Sequence, residues 1–114
     1  MAATILHFCT GDAWRAAQAR GEYHGDTLAT EGFIHCSTAD QVHVPANALV
    51  RGRTDLVLLE IDPDRLTAPL RVEPGDPNDP ASMQFPHVYG PIVVDAVVAV
   101  HDFQPGPDGT FAPV

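Results

Sequence analysis

The stretch Glu31-Gly-Phe-Ile-His-Cys-Ser37 reads as a strand that runs into the start of a helix. Phe33 and Ile34 are strand formers. Ser37, with Asp40 three residues on, is a variant of the capping box that opens helices. The helix expected next would place Val42, Ala46, Leu49 and Val50 on one face, with a kink or break at Pro45, since proline inside a helix costs about 3 kcal/mol. Upstream, Thr4 to Cys9 reads as a first strand. Thr10 then serves as N-cap, with Asp12 in the first turn, for a helix over Ala13 to Arg20 that stops at Gly21. Gly21 to Thr30 is expected to be a loop with one turn around Thr27 to Ala29.

Downstream, Asp55 to Ile61 is almost continuously apolar, which suits a strand buried on both faces. Asp62-Pro63-Asp-Arg65 is a turn signal, and Leu70-Arg-Val-Glu73 alternates as a strand with one wet face does. Pro74 to Pro80 is a loop by composition. Phe85-Pro-His-Val-Tyr-Gly-Pro91 is expected to form a compact aromatic turn, and Ala96 to Phe103 the last strong strand. These elements predict an α+β domain with two early helices and about five or six strands, too few of them separated by helices for a repeated βαβ fold. The domain is expected to span residues 1–104, and the proline-rich residues 105–114 to form a C-terminal tail.

Composition narrows the functional classes. The chain has 114 residues, 45% of them hydrophobic, which supports one core. It carries 15 acidic residues against 6 arginines and no lysine, for a net charge of −9. Nucleic-acid binding depends on basic groups that displace counterions, so no general nucleic-acid partner is expected. The longest apolar run, Ala96 to Val100, is far short of the ~20 residues of a membrane span. The start Met1-Ala-Ala-Thr4 lacks the pattern of a signal peptide, so a cytoplasmic protein without a membrane partner is expected. Cys9 and Cys36 are too few for a disulfide scaffold and are expected to be reduced.

Histidine is the unusual residue, with 6 in the chain. A buried imidazole costs desolvation unless each nitrogen finds a partner, so a group of them on strands points to a polar site. Three segments carry the chemistry: Leu6-His7-Phe8, Glu31-Gly-Phe-Ile-His35-Cys-Ser-Thr38, and Phe85-Pro-His87-Val-Tyr89-Gly-Pro91. Ser37 and the N–H groups after it suit either a helix cap or an anion site. Asn47 is placed to reach a ligand or to make an ordinary loop contact. His7, Cys9, His35 and Cys36 are ligand types that zinc takes, but no CxxC or HExxH spacing accompanies them, so no metal is expected. Cys36 with His87 as base is a further alternative, set against inert packing of the thiol.

Glu31-Gly-Phe-Ile-His-Cys-Ser37, Ala46-Asn47, Glu60-Ile-Asp62 and Phe85-Pro-His-Val-Tyr-Gly-Pro91 together resemble, in the same order, the signature of DUF952, a family of small bacterial proteins. The resemblance runs from about Ile5 to Phe103. It implies an ADP-ribosyltransferase-like fold, a split and mostly antiparallel sheet around a cleft that holds NAD in the characterised members. It implies His7, His35 (or Ser37) and His87 as the catalytic positions, with Ser37, Thr38, Asn47 and Tyr89 binding the ligand. NAD, or another small nucleotide of ADP-ribose type, enters as a possible substrate, and no tightly held cofactor is implied. The Phe85 to Pro91 motif contains no carboxylate to stand beside a sugar cation, which Glu31 or Glu60 would have to supply. The alternative is a non-catalytic module for a small acidic ligand or a protein partner.

Overall fold

The computed structural model describes residues 3–114, so Met1 and Ala2, half of the N-terminal motif read above, lie outside the described residues. The chain is α+β, and its described residues form eight strands and three α-helices in the order β1 (Ile5–Thr10), α1 (Gly11–Arg20), β2 (Glu22–Tyr23), α2 (Leu28–Glu31), β3 (Ile34–His35), α3 (His43–Leu49), β4 (Leu56–Ile61), β5 (Leu70–Pro74), β6 (Gln84–Val88), β7 (Ile92–Val93) and β8 (Val97–Phe103). Every strand pairing is antiparallel: β1-β4-β8 form one three-stranded sheet, β3-β6-β5 a second, and β2-β7 a two-stranded pair. An antiparallel bridge between Leu6 and Ser37 joins the edges of the two larger sheets.

β4 is apolar almost throughout because it divides two hydrophobic clusters. Leu59 and Ile61 face one, with Ile5, Cys9, Trp14, Tyr23, Ile34 and Val88. Leu56 and Leu58 face the other, with Leu6, Val42, Ala46, Phe103 and Phe111. The same alternation on β1 sends Ile5 and Cys9 to the first cluster and Leu6 to the second, which puts His7 on the face of the first. α1 forms as expected. The Thr10 hydroxyl accepts from the Ala13 N–H at 3.0 Å, and Gly21 closes the helix at φ 94 with its N–H on the Ala17 carbonyl.

The central stretch departs from expectation. Glu31 ends α2 instead of opening a strand, Gly32 caps it, and only Ile34 and His35 are extended. Ser37 caps no helix: its N–H and carbonyl are spent on Leu6, at 2.8 and 2.7 Å. α3 begins at His43 after a turn in which the Thr38 N–H donates to Gln41 Oε1. Pro45 therefore sits in the first turn, where its missing N–H leaves no helical bond unmade, and nothing breaks there. Leu49, expected on the buried face, is 76% exposed because the later start of α3 leaves it at the last turn.

The expected aromatic turn is also different. Gln84–Val88 is the central strand of the second sheet, not a turn. Pro86 is tolerated there because its carbonyl, accepting from the Cys36 N–H at 3.0 Å, faces the end of β3. Its absent N–H would face the same way, so the proline removes one bond just where β3 stops. The proline-rich residues 105–114 lie against the domain: Phe111 is buried in the second cluster and stacks on Phe103.

Candidate functional site

β3-β6-β5 has one face against the core and one outside. Ile34 and Val88 point to the core, and the register therefore places His35, His87 and Arg71 together on the other face, with Glu73. The His35 and His87 rings meet edge to face at 5.2 Å. Phe33 lies flat on His87, ring centroids 4.2 Å apart and planes 20° apart, and tilts against Tyr89 at 5.2 Å. Phe33, His35, Glu73, His87 and Tyr89 line a cleft of about 490 Å³, with Glu31, Pro74, Gly75 and Pro77 completing its wall.

Glu73 organises the cleft. His87 Nδ1 lies 2.9 Å and the Tyr89 hydroxyl 2.5 Å from the same carboxylate oxygen, Oε1. A carboxylate only accepts, so His87 carries its proton on Nδ1 and Tyr89 donates its own. The Tyr89 hydrogen bond, and after it that of His87, holds the Glu73 carboxyl below its ordinary value, and the same bond pushes the Tyr89 hydroxyl up. His87 is 3% exposed, and its Nε2 is buried with no hydrogen-bond partner among the described residues. An orphaned buried nitrogen of this kind calls for a ligand or a water. The Arg71 guanidinium sits 5.0 Å above the Tyr89 ring, and Glu31 accepts from His35 Nε2 at 3.2 Å.

Of the expected site residues, the structure brings His35, His87 and Tyr89 into this cleft. His7 touches it only from behind. Its Nδ1 is 2.5 Å from the His35 carbonyl oxygen, and its ring lines a second hollow of about 420 Å³ with Tyr23, Thr10, Arg20 and Asp26. Because a carbonyl only accepts, His7 is protonated on Nδ1, and Nε2 accepts from the Tyr23 hydroxyl at 2.7 Å. Ser37 and Thr38 do not stand at a helix start, and their N–H groups go to Leu6 and Gln41. Asn47 is occupied elsewhere: its amide donates to the Phe111 carbonyl at 3.0 Å and its oxygen accepts from the Phe111 N–H at 2.7 Å. Cys36 faces the core, where burial pushes its thiol up to about 12, and Cys9 is pushed up to about 11. Thiols so placed stay protonated at neutral pH and are poor nucleophiles. Glu60 is engaged with Thr4 and His101, away from the cleft. The carboxylate that sequence reasoning missed is Glu73. Its signal was the alternation of Leu70 to Glu73, which becomes informative only once that strand is paired with Phe85 to Val88.

His7 makes stability depend on pH. Burial lowers its pKa below the ordinary 6.5, and the hydrogen bond to the His35 carbonyl only partly offsets this. The folded state then holds His7 neutral while the unfolded chain protonates near 6.5, so stability is full above that pH and falls as pH drops from it towards the folded value. Melting curves between pH 8 and 5 are expected to show a steeper loss for wild type than for His7→Gln. Parallel curves would contradict a buried neutral His7.

A profile of the family described as a protein of unknown function, DUF952, matches residues 8–100. The chain belongs to the DUF952 family. Solved structures of protein CC0527 from Caulobacter crescentus are similar to it. The crystal structure is 30% identical with a TM-score of 0.83, covering 96% of this chain and 93% of that one. A double mutant of CC0527 gives the same TM-score at 29% identity, and the solution NMR structure 0.73 at 29%, with 94% and 90% covered. No curated protein matches the chain. Among the described residues, no helix of this DUF952 protein is long and apolar enough to cross a membrane.

Proposed function

We propose that the chain binds NAD or an ADP-ribose-like nucleotide in the His35–His87 cleft and acts at the ribosyl carbon. The reading takes the two antiparallel sheets joined at Leu6–Ser37 as the split sheet of the ADP-ribosyltransferase-like fold. The observation that carries it is Glu73. Both donors converge on Oε1, and Oε2 is left without a protein partner among the described residues, on the wall of the cleft. A carboxylate there supplies the negative charge that a sugar cation needs and that the Phe85 to Pro91 motif lacks. The bond from ribosyl carbon to nicotinamide nitrogen would break with its electron pair going to the departing ring. An attacking hydroxyl would form the new carbon–oxygen bond and pass its proton to His87 Nε2. Phe33 and Tyr89 offer aromatic surface to a base, and Arg71 a cation to a phosphate. His7 is a positioning residue in this scheme, acting through the His35 carbonyl. The burial of His87 Nε2 under Phe33 favours a second reading, a binding module for a small acidic ligand without turnover.

Thermal-shift titration with NAD, ADP-ribose and nicotinamide tests the proposal. Ligand at 100 times its dissociation constant is expected to add about 2.7 kcal/mol, several degrees for a domain of this size, and His87→Ala to lose the shift. No shift at millimolar ligand would sink the nucleotide reading. A shift without release of nicotinamide from NAD would leave the binding module.

A further inference from the structure

The cleft is closed by a device of its own. Residues 26–31 lie between two glycines held in the left-handed region, Gly25 at φ 69 and Gly32 at φ 86. Within them α2 buries no residue fully, and Leu28 alone packs partly against the core. The segment is bonded chiefly to itself: Glu31 N–H and Gly32 N–H reach the Thr27 and Leu28 carbonyls, and the Thr27 hydroxyl donates to the Phe33 carbonyl at 2.8 Å. Such a segment has little to lose by opening. It ends on Phe33, whose ring covers His87, and on Glu31, which holds His35. Its other end, Gly25 and Asp26, borders the hollow that contains His7.

We propose that residues 26–32 are a hinged strap and that Phe33 is the gate it carries, a specificity element that seals His87 Nε2 in the resting state and gives way to a planar ring of the ligand. The packing argues for this. Phe33 belongs to neither hydrophobic cluster and spends its apolar surface on His35, His87 and Tyr89, as an incoming aromatic ring would. It also lies flat on an imidazole whose buried Nε2 no protein group among the described residues satisfies, a cost that an open gate admitting water or ligand would relieve. Gly32 is the hinge where strain acts cleanly. A Cβ there meets nothing within 4 Å, whereas one on Gly25 comes within 3.3 Å of the Tyr23 ring.

This inference rests on the cleft being the functional site, but its test needs no nucleotide. Diethyl pyrocarbonate acylates an accessible unprotonated imidazole nitrogen, and peptide mass spectrometry reads each histidine separately. In wild type, His87 is expected to react far more slowly than His101, whose side chain is 52% exposed. Phe33→Ala should raise the His87 rate roughly tenfold relative to His101 in the same molecule, by making the open form the resting one. Gly32→Ala keeps Phe33 but strains the closed strap, and should raise the rate by about the same factor if opening releases that backbone. Melting temperatures and the His101 rate show that each variant is folded. A His87 rate equal to that of His101 in wild type would overturn the gate, as would an unchanged rate in Phe33→Ala. An unchanged rate in Gly32→Ala would overturn the strap. Nucleotide binding that fails while these rates behave as expected would overturn the ligand reading and leave the gate standing.

Discussion

In the reaction proposed above, Glu73→Gln is expected to lower turnover by roughly 10²–10⁴ while leaving the fold intact, the range set by removing an oriented acid–base group. The substitution keeps shape and loses charge. Glu73 now accepts two hydrogen bonds on one oxygen, from His87 Nδ1–H and the Tyr89 hydroxyl. A glutamine whose carbonyl oxygen takes the Oε1 place can still accept both, with its NH₂ group in the place of Oε2, so His87 keeps its proton on Nδ1. Nε2 stays an acceptor, but the imidazolium formed when it takes a proton no longer has a carboxylate beside it. The charge that would stand beside the sugar cation in the proposed reaction is lost as well. Long-range ¹H–¹⁵N spectra read the His87 tautomer directly, so the geometric part stands or falls without an assay. Wild type and Glu73→Gln are both expected to show Nδ1 protonated, and Nε2 protonated in wild type would overturn the Glu73–His87 hydrogen bond. Glu31→Gln is the control, because Glu31 and His35 are both about half exposed, and an exposed pair of this kind contributes little. Equal turnover in Glu73→Gln and wild type would remove Glu73 from the mechanism.

The same carboxylate has an acid limit. The hydrogen bonds from Tyr89 and His87 hold its pKa down, so the stability they confer is present above the ordinary carboxyl range and is lost only as pH falls through the lowered value. His7 loses its contribution at higher pH, below 6.5. Two separate declines are therefore expected on the acid side, the upper one removed in His7→Gln and the lower one in Glu73→Gln.

Local signals survived folding where local physics decides. Thr10 and Gly21 cap α1, and the apolar run of β4 divides two clusters, because caps and burial on both faces are properties of a few adjacent residues. His35, His87 and Tyr89 were legible as candidates from the unusual histidines and from the family resemblance, but that His35 and His87 share a face came only with the pairing of β3 and β6. What failed depends on distant partners. Ser37 looks like a cap until Leu6 claims its backbone, and Phe85 to Val88 looks like a turn until β3 and β5 flank it. Glu73 and Phe33 were missed for the same reason. A carboxylate on a wet strand and a phenylalanine after a glycine are unremarkable until β5, β6 and α2 bring them onto one imidazole.

Phe111→Ala is expected to destabilise the chain by about 3–5 kcal/mol, a large share of the roughly 5–15 kcal/mol available to a domain. Residues 105–114 read as a tail from their prolines, yet Phe111 is 3% exposed and stacks on Phe103 with centroids 4.5 Å apart. Asn47 clamps its backbone from both sides, and the Gly109 carbonyl accepts from the Gly52 N–H at 2.8 Å. The segment therefore completes the second cluster, which Val42 and Ala46 of the α3 region, Leu56 and Leu58 would otherwise present to water beneath it. Truncating a buried aromatic removes its transfer energy and leaves a cavity between Phe103 and α3. Asn47→Ala should cost less, about 1–2 kcal/mol, because it frees the Phe111 backbone but leaves its ring apolar and free to stay. Urea denaturation of the two variants and wild type separates the possibilities. If the segment were a loose appendage, Phe111→Ala would cost less than about 0.5 kcal/mol, as exposed substitutions do. A cost near the upper figure, with Asn47→Ala between, would make the last ten residues part of the folding unit, since Phe111 then carries core energy that Phe103 and β4 cannot supply alone.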